Sequence, residues 1–371
     1  MKQIDHRTDA AIGERYHPTM PEPTLYPLKF APIYKEKVWG GRTLARQLNR
    51  DLPGDDATHI GESWELVDLA TTSASGGGGG AERSVVTNGP LAGQSLTQII
   101  EAHGRDLLAD LPLSDDGGFP VLLKYLDANQ NLSVQVHPSP QYAADHDDAF
   151  LKSESWYIVA AEPGAVIYKG IREGVTPQQL REAIATNTDE AVVPLMIEVP
   201  VRPGDCHYVP SGTCHALGAG ILVAEVQTPS DTTYRVYDWG RTGRELHVDQ
   251  AIECIHFGPP QVEDYELFTA VSASDGADVR RLVACEFFRI DKVTAIAGFR
   301  DRAGQPQPTL WMVLGGRGQL TGPGFDPVEF AAGDTLLLPP HGPDGAYEVA
   351  VQDDAQWLEI SFPQAEAGRL A

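Results

Sequence analysis

Apolar and polar positions along this chain alternate in short runs broken by glycine and proline, a pattern that predicts strands more often than helices. Residues 1–24 are polar and proline-punctuated and are expected to form a loose arm. From Leu25, LYPLKFAPIYKEKVWGGRTLARQL predicts a strand, a turn at Trp39-Gly40-Gly41 and a short helix; IGESWELVDL predicts a further strand. The stretch TTSASGGGGGAERS, with its Gly76–Gly80 run, has little to pack and much entropy to lose, so it predicts a flexible loop. Helical spacing emerges in LAGQSLTQIIEAHGRDLLADL, with Leu96, Ile99, Ile100, Leu107 and Leu108 on one stripe. GVTPQQLREAIAT predicts a second helix, with Thr176 as N-cap and Pro177 at the first helical position. This helix over 176–186 is expected to cover a barrel mouth.

The remaining text is strand-like. VLLKYLDA, LSVQVHP, ESWYIVAAE, AVIYKGI, PLMIEVPV, CHYVP and ILVAEVQ follow one another with turn residues between them. Helices are too few for a parallel α/β sheet, so the fold class is mainly β, a sandwich or barrel. An internal echo refines this. Gly204-Asp205 precedes CHYVP and Gly333-Asp334 precedes TLLLP, each glycine six residues before a proline (Pro210, Pro339). LWMVLGGRGQLTG, upstream of the second copy, reads as strand, turn, strand, with Gly316–Gly318 a hairpin turn and not a phosphate loop. Two related β-barrels result, over 25–260 and 275–371. Eleven residues after Gly204 stands His215, whereas eleven after Gly333 stands Asp344, so the second barrel is expected to be degenerate and structural.

Composition narrows the class. The 37 glycines and 28 prolines of the 371 residues favour turn-rich β architecture. A net charge of −24 argues against nucleic acid or an anionic membrane as partner. A small anionic substrate is still allowed, because one pocket can be positive inside an acidic shell. Cys206, Cys214, Cys254 and Cys285 show no CxxC spacing and are expected to be reduced thiols. The N-terminus has no apolar signal core and no window approaches 18 apolar residues, so a cytoplasmic protein without membrane spans is expected.

Candidate chemistry gathers at Gln135 and His137 in SVQVHP, which share one face of a strand and can enter one cavity. Glu154 follows on KSESWYIV, expected to be a neighbouring strand, and His215 follows a turn in CHYVPSGTCHAL. Two imidazoles, a carboxylate and an amide suit a divalent ion such as Zn²⁺, Fe²⁺, Mn²⁺ or Co²⁺ with positions left open. Trp39, Trp64 and Trp156 have two uses, stacking on a sugar face or filling a core, and their buried area favours the core. His207 has Val209 at i+2, so no second metal motif forms there; His103, His146, His247 and His256 are assigned to surface or core.

KVWGGRTL, IGESWELVD, KYLDANQNLSVQVHP, KSESWYIV, PSGTCHAL and QTPSDTTYRVYDWGR, in this order, resemble the type I mannose-6-phosphate isomerases, zinc enzymes of the cupin fold. The resemblance is strong from Leu25 to Arg241, weak beyond, and closest to the short bacterial form. It implies a double cupin, one Zn²⁺ per chain on Gln135, His137, Glu154 and His215, and Arg235 as the active-site arginine. It further implies that Ser133, Lys152 and Arg241 meet the phosphate or the reacting sugar, and that Lys124 and Glu225 belong to the pocket. Two departures, Leu217 where some relatives carry an aromatic and the Gly76–Gly80 run, bear on substrate preference.

The implied reaction interconverts mannose 6-phosphate and fructose 6-phosphate through a cis-enediol(ate). Negative charge develops on the carbonyl oxygen, which calls for a metal, Arg235 or Lys152 beside it. Glu225 and Lys152 are both candidates for the base at C2. Two rivals stand. A cupin dioxygenase would hold Fe²⁺ with two histidines and a carboxylate, but the additional Gln135 and Arg235 disfavour it. A non-catalytic sugar-phosphate-binding cupin would not require Lys152 and Arg235.

Overall fold

In the strand Val134–Val136 the two valines point one way and Gln135 the other, and that alternation sets the architecture of the N-terminal half. The valines bury with Tyr168, Ala216 and Val236 on the outer face of an antiparallel five-stranded sheet. Its order is Met196–Pro200, Val166–Ile171, His215–Leu217, Val134–Val136, Tyr234–Tyr237. Facing it is a six-stranded sheet in the order Cys206–Val209, Glu154–Ala161, Ile221–Gln227, Leu122–Ala128, Ile60–Leu66, Ile33–Gly41. The central Ile221–Gln227 strand is buried on both faces: Leu222, Ala224 and Val226 enter one core, Ile221 and Val223 the other. One end of the space between the sheets is apolar, filled by Ile158, Ile167, Leu217 and Val223. The other end is polar and open.

This computed structural model describes residues 25–71, 73, 81–341 and 347–363, so the expected arm, the Gly76–Gly80 loop and Asp344 lie outside the described residues. The C-terminal half is a nine-stranded antiparallel sheet built around the long strands Thr309–Thr321 and Tyr347–Ser361. Leu28–Lys29, at the start of the described chain, adds to its edge by pairing with Leu336 and Leu337. The outer face of the six-stranded sheet, the helix Leu96–Leu108 and the C-terminal sheet share the largest core. Each fully buried leucine there contributes about 2 kcal/mol. The mainly β architecture is as expected, and all four cysteines are free and buried. Among the described residues no helix is long and apolar enough to cross a membrane.

The Gly-Asp echo is a repeated turn. Gly204 N–H donates to Ile158 O and Asp205 O accepts from Ile158 N–H, both at 2.9 Å. Gly333 N–H donates to Val313 O at 2.8 Å and Asp334 O accepts from Val313 N–H at 2.9 Å. Both glycines take a positive φ (99° and 91°), and both aspartates accept a backbone N–H three residues back.

Three local expectations change. LWMVLGGRGQLTG is not a hairpin but one strand, Thr309–Thr321, with irregular pairing around Gly315–Gly318. Its partner Tyr347–Ser361 is longer still, 15 residues against 13, and carries the ladder past the glycines. Trp39-Gly40-Gly41 is likewise not a turn but the end of the strand Ile33–Gly41. A Cβ at Gly40 would lie 2.5 Å from the backbone nitrogen of Gly61, so the glycine serves close approach of two chains. The helix Pro177–Thr186 starts as expected, with Thr176 and Gln179 forming a capping box. It does not cover the mouth, however. Its Leu180, Ala183 and Ile184 match the outward valines, so it packs on the outer face of the five-stranded sheet.

Candidate active site

Cross-strand register puts Arg235, Gln135, His215 and Lys169 in one row on the inner face of the five-stranded sheet. His137, one residue past the end of its strand, joins them. Glu154 comes not from a neighbouring strand but from the opposite sheet. The strand it begins pairs with Ile221–Gln227 and Cys206–Val209, so the carboxylate reaches across the gap.

The geometry of this cluster defines its chemistry. His137 Nδ1 and His215 Nδ1 each donate to a backbone carbonyl, of Thr232 and Thr213, both at 2.8 Å. Their Nε2 atoms therefore carry lone pairs and no proton. These point at Glu154, 3.3 Å from Oε2 for His137 and 3.2 Å from Oε1 for His215. The side chains of all three are only 1–2% exposed. Neither Glu154 oxygen nor His137 Nε2 has a hydrogen-bond partner. Lys152 Nζ forms an ion pair with Glu154 Oε2 at 2.7 Å. Buried acceptors facing one another without a proton between them are costly unless a cation joins them. The donor set of two imidazole nitrogens and a carboxylate, with all ligand atoms within 4.8 Å of one another, fits a divalent metal. The Gln135 amide is in reach, 3.4 Å from His215 Nε2, and the Ser133 hydroxyl donates to its Oε1 at 3.3 Å.

Electrostatics agree with neutral imidazoles beside an ionised carboxylate. Burial, reinforced by Lys152, pushes the His137 imidazole down to about 3, and burial lowers His215 as well. Burial alone would raise Glu154, but the Lys152 ammonium together with His137 and His215 outweighs it and holds the carboxyl well below the usual range. Lys152 is raised in turn, because Glu154 and Glu225 offset its desolvation.

Beside the cluster opens a cavity lined by Lys124, Ser133, Gln135, Lys152, Glu225 and Arg235 of the expected residues. Glu225 accepts from Trp156 Nε1 at 3.1 Å, and Lys124 Nζ lies 3.5 Å from its Oε2 and 4.8 Å from the centre of the Trp64 ring. Arg235 donates to Glu245 O at 2.9 Å, while its buried Nε has no partner. Arg241 is the exception. It is held 2.8 Å from both Asp238 Oδ1 and Asn131 O, and it is not in the lining. Arg244, which shares Asp238 with it, is.

The lining includes further groups that pattern reading missed or assigned elsewhere. Trp39, Trp64 and Trp156 are all buried as expected, and Trp39 and Trp64 also line the cavity. Lys37 and Glu62 form a 3.2 Å ion pair at the cavity wall. Both lie in matched motifs, KVWGG and IGESWEL, and strand alternation from Trp39 and Trp64 would have put them on the cavity side. Nothing local distinguished Arg244 from Arg241.

Comparison with known proteins follows the same lines. Residues 27–157 match the family model for the catalytic domain of type I phosphomannose isomerase. The chain is 36% identical to a mannose-6-phosphate isomerase of Streptococcus mutans over 318 residues, 84% of this chain and 92% of the relative. It is also 36% identical to the mannose-6-phosphate isomerase ManA of Bacillus subtilis, covering 85% of this chain and 94% of that one. Among solved structures, the mannose 6-phosphate isomerase of Bacillus subtilis aligns with a TM-score of 0.77 at 28% identity, covering 91% of this chain and all of the other. A zinc-bound mannose 6-phosphate isomerase shares the fold at a TM-score of 0.68 and 15% identity, over 91% of this chain and all of its own.

Proposed function

The chain belongs to the mannose-6-phosphate isomerases of type I, and on that premise we propose that its cavity interconverts mannose 6-phosphate and fructose 6-phosphate through a cis-enediol(ate), with one Zn²⁺ held by Gln135, His137, Glu154 and His215. The observation that carries the reading is the pair of unprotonated imidazole Nε2 atoms facing an ionised, buried Glu154, next to a cavity rich in cations.

When bound, the zinc supplies a Lewis acid for sugar oxygens with no redox step. The protein's own groups do the rest. Glu225, which lines the cavity and whose Oε2 has no hydrogen bond, accepts the C2 proton and returns it to C1. Trp156 Nε1 and Lys124 fix the orientation of this carboxylate. Lys152 and Arg235, both in the cavity lining, stabilise the charge that develops on the carbonyl oxygen. The phosphate is met by Ser133 and Lys124. Arg241 acts from one residue behind the lining, where it and Arg244 share the single carboxylate of Asp238 and leave excess positive charge for an anion.

Metal analysis beside a coupled assay with mannose 6-phosphate tests the reading. About one zinc per chain and full loss of turnover on chelation or in His137→Ala are expected; turnover persisting in demonstrably metal-free protein refutes it. The division of roles is tested with substrate deuterated at C2. Glu225→Gln should block loss of the label to solvent, whereas Lys152→Met should slow turnover while exchange continues.

A further inference from the structure

The internal repeat extends beyond the Gly-Asp turn. Ile158 and Val313 make the same pair of bonds to the two turns, so Trp156 corresponds to Trp311 two residues earlier, and Glu154 to Thr309. Trp156 pairs across strands with Glu225 and donates to its carboxylate at 3.1 Å. Trp311 pairs with Glu359 and donates to its carboxylate at 3.0 Å. One strand further, Lys124 beside Glu225 corresponds to Asp291 beside Glu359, and Trp64 then corresponds to Arg281. The C-terminal half has thus kept the tryptophan–carboxylate wall of a cavity. The carboxylate of the metal cluster is replaced by a threonine.

That wall still borders open space. The inner face of the C-terminal sheet encloses a cavity of about 480 Å³, within the size range of small-molecule sites. Trp311 and Trp357 stack at its base, 4.6 Å apart and inclined by 29°. Both indoles are almost fully buried, and Trp357 lies close enough to Glu359 to draw its carboxyl down. Burial raises the Glu359 carboxyl to about 7, with Arg281 and the Trp311 bond drawing it down and Asp291 pushing it up. Arg281 is already bound to Asp291 by two 2.8 Å bonds, and Asp301 and Arg302 bring opposite charges to the rim.

We propose that this second cavity binds an unphosphorylated, hydroxyl-rich molecule of hexose size, with Glu359, held in place by the buried Trp311, accepting its hydrogen bonds. A partly exposed carboxylate that can accept hydrogen bonds, in a cavity whose cation is already engaged, is what a neutral polyol complements. A phosphate dianion meets an engaged Arg281 and the carboxylate of Glu359, so the phosphorylated substrate is not its ligand. The site is non-catalytic and separate from the first cavity.

Calorimetric titration with D-mannose and D-glucose tests this on the full metal-loaded chain. Saturable binding is expected for at least one hexose, weakened about tenfold or more in Glu359→Gln and in Trp311→Phe and retained in Arg235→Ala. Turnover of mannose 6-phosphate should stay near wild type in Glu359→Gln, which also reports that this variant folds. Absence of hexose binding in the wild type, wild-type binding in Glu359→Gln, or loss of binding in Arg235→Ala each overturns the proposal. Failure of wild-type turnover in the same preparations would count against the first-cavity reading alone.

Discussion

Arg235 shows how much one residue's placement matters. Its guanidinium is lowered from its usual affinity for a proton by burial and by Arg244 and Arg241 nearby, and its Nε is left without a partner. A cation so placed gains most when negative charge appears beside it. Arg235→Ala should therefore cut kcat by roughly 10²–10³-fold while zinc content and the unfolding midpoint stay near wild type. Steady-state kinetics beside metal analysis decide it, and unchanged kcat would remove Arg235 from the reaction. Glu62 gives a pH test. Burial would raise its carboxyl, but Lys37 and Lys124 outweigh this, with a bond from Trp64, and hold it down to about 2. A depressed carboxyl contributes stability above its unfolded value, lost as pH falls through the folded value. Glu62→Gln should thus cost about 3 kcal/mol near neutrality and progressively less from pH 4.5 to 2. Urea unfolding across that range gives the comparison; a pH-independent cost would contradict the ion pair.

At the scale of elements, the helix Pro177–Thr186 separates stability from function. Its capping box and outer-face packing hold the five-stranded sheet from behind, away from the cavity. Thr176→Ala should lower stability by about 1 kcal/mol and leave kcat/KM unchanged; a fall in kcat/KM at equal folded fraction would return the helix to the role of a lid. This helix also marks where pattern reading works and where it stops. Capping residues and an apolar stripe are local, so its ends were legible, but which surface the stripe meets is decided by the outward Val134 and Val136. The same holds for Glu154. Its chemistry was visible in KSESWYIV, yet a ligand on the facing sheet and one on an adjacent strand look alike in one dimension.

The whole molecule is held together across its halves. Arg50 makes two 2.6 Å bonds to the buried Glu65 of the six-stranded sheet and also donates to the Gly333 carbonyl in the C-terminal repeat turn. The large shared core joins the same parts. Arg50→Ala leaves Glu65 buried and unpaired and is expected to cost 3–5 kcal/mol, roughly, while unfolding stays a single transition. Denaturant titration followed by fluorescence and circular dichroism reads both; two separated transitions would show that the halves unfold independently. The charge distribution is also a property of the whole. A chain of net charge −24 concentrates Lys37, Lys124, Lys152, Arg235 and Arg244 around one cavity, the arrangement that draws a sugar phosphate into an acidic protein.

Alternation and turn chemistry, which are local, were enough to determine from the sequence that the chain is mainly β, that Gln135 and His137 share a face, that Thr176 starts a helix and that Gly204-Asp205 and Gly333-Asp334 repeat one turn. Only the tertiary structure decided that Glu154 crosses from the opposite sheet, that Arg244 and not Arg241 reaches the cavity, and that Trp311 and Glu359 rebuild the Trp156–Glu225 wall in the other half. The reason is physical: backbone periodicity says which side chains share a face, while the packing of one sheet against another says what that face meets.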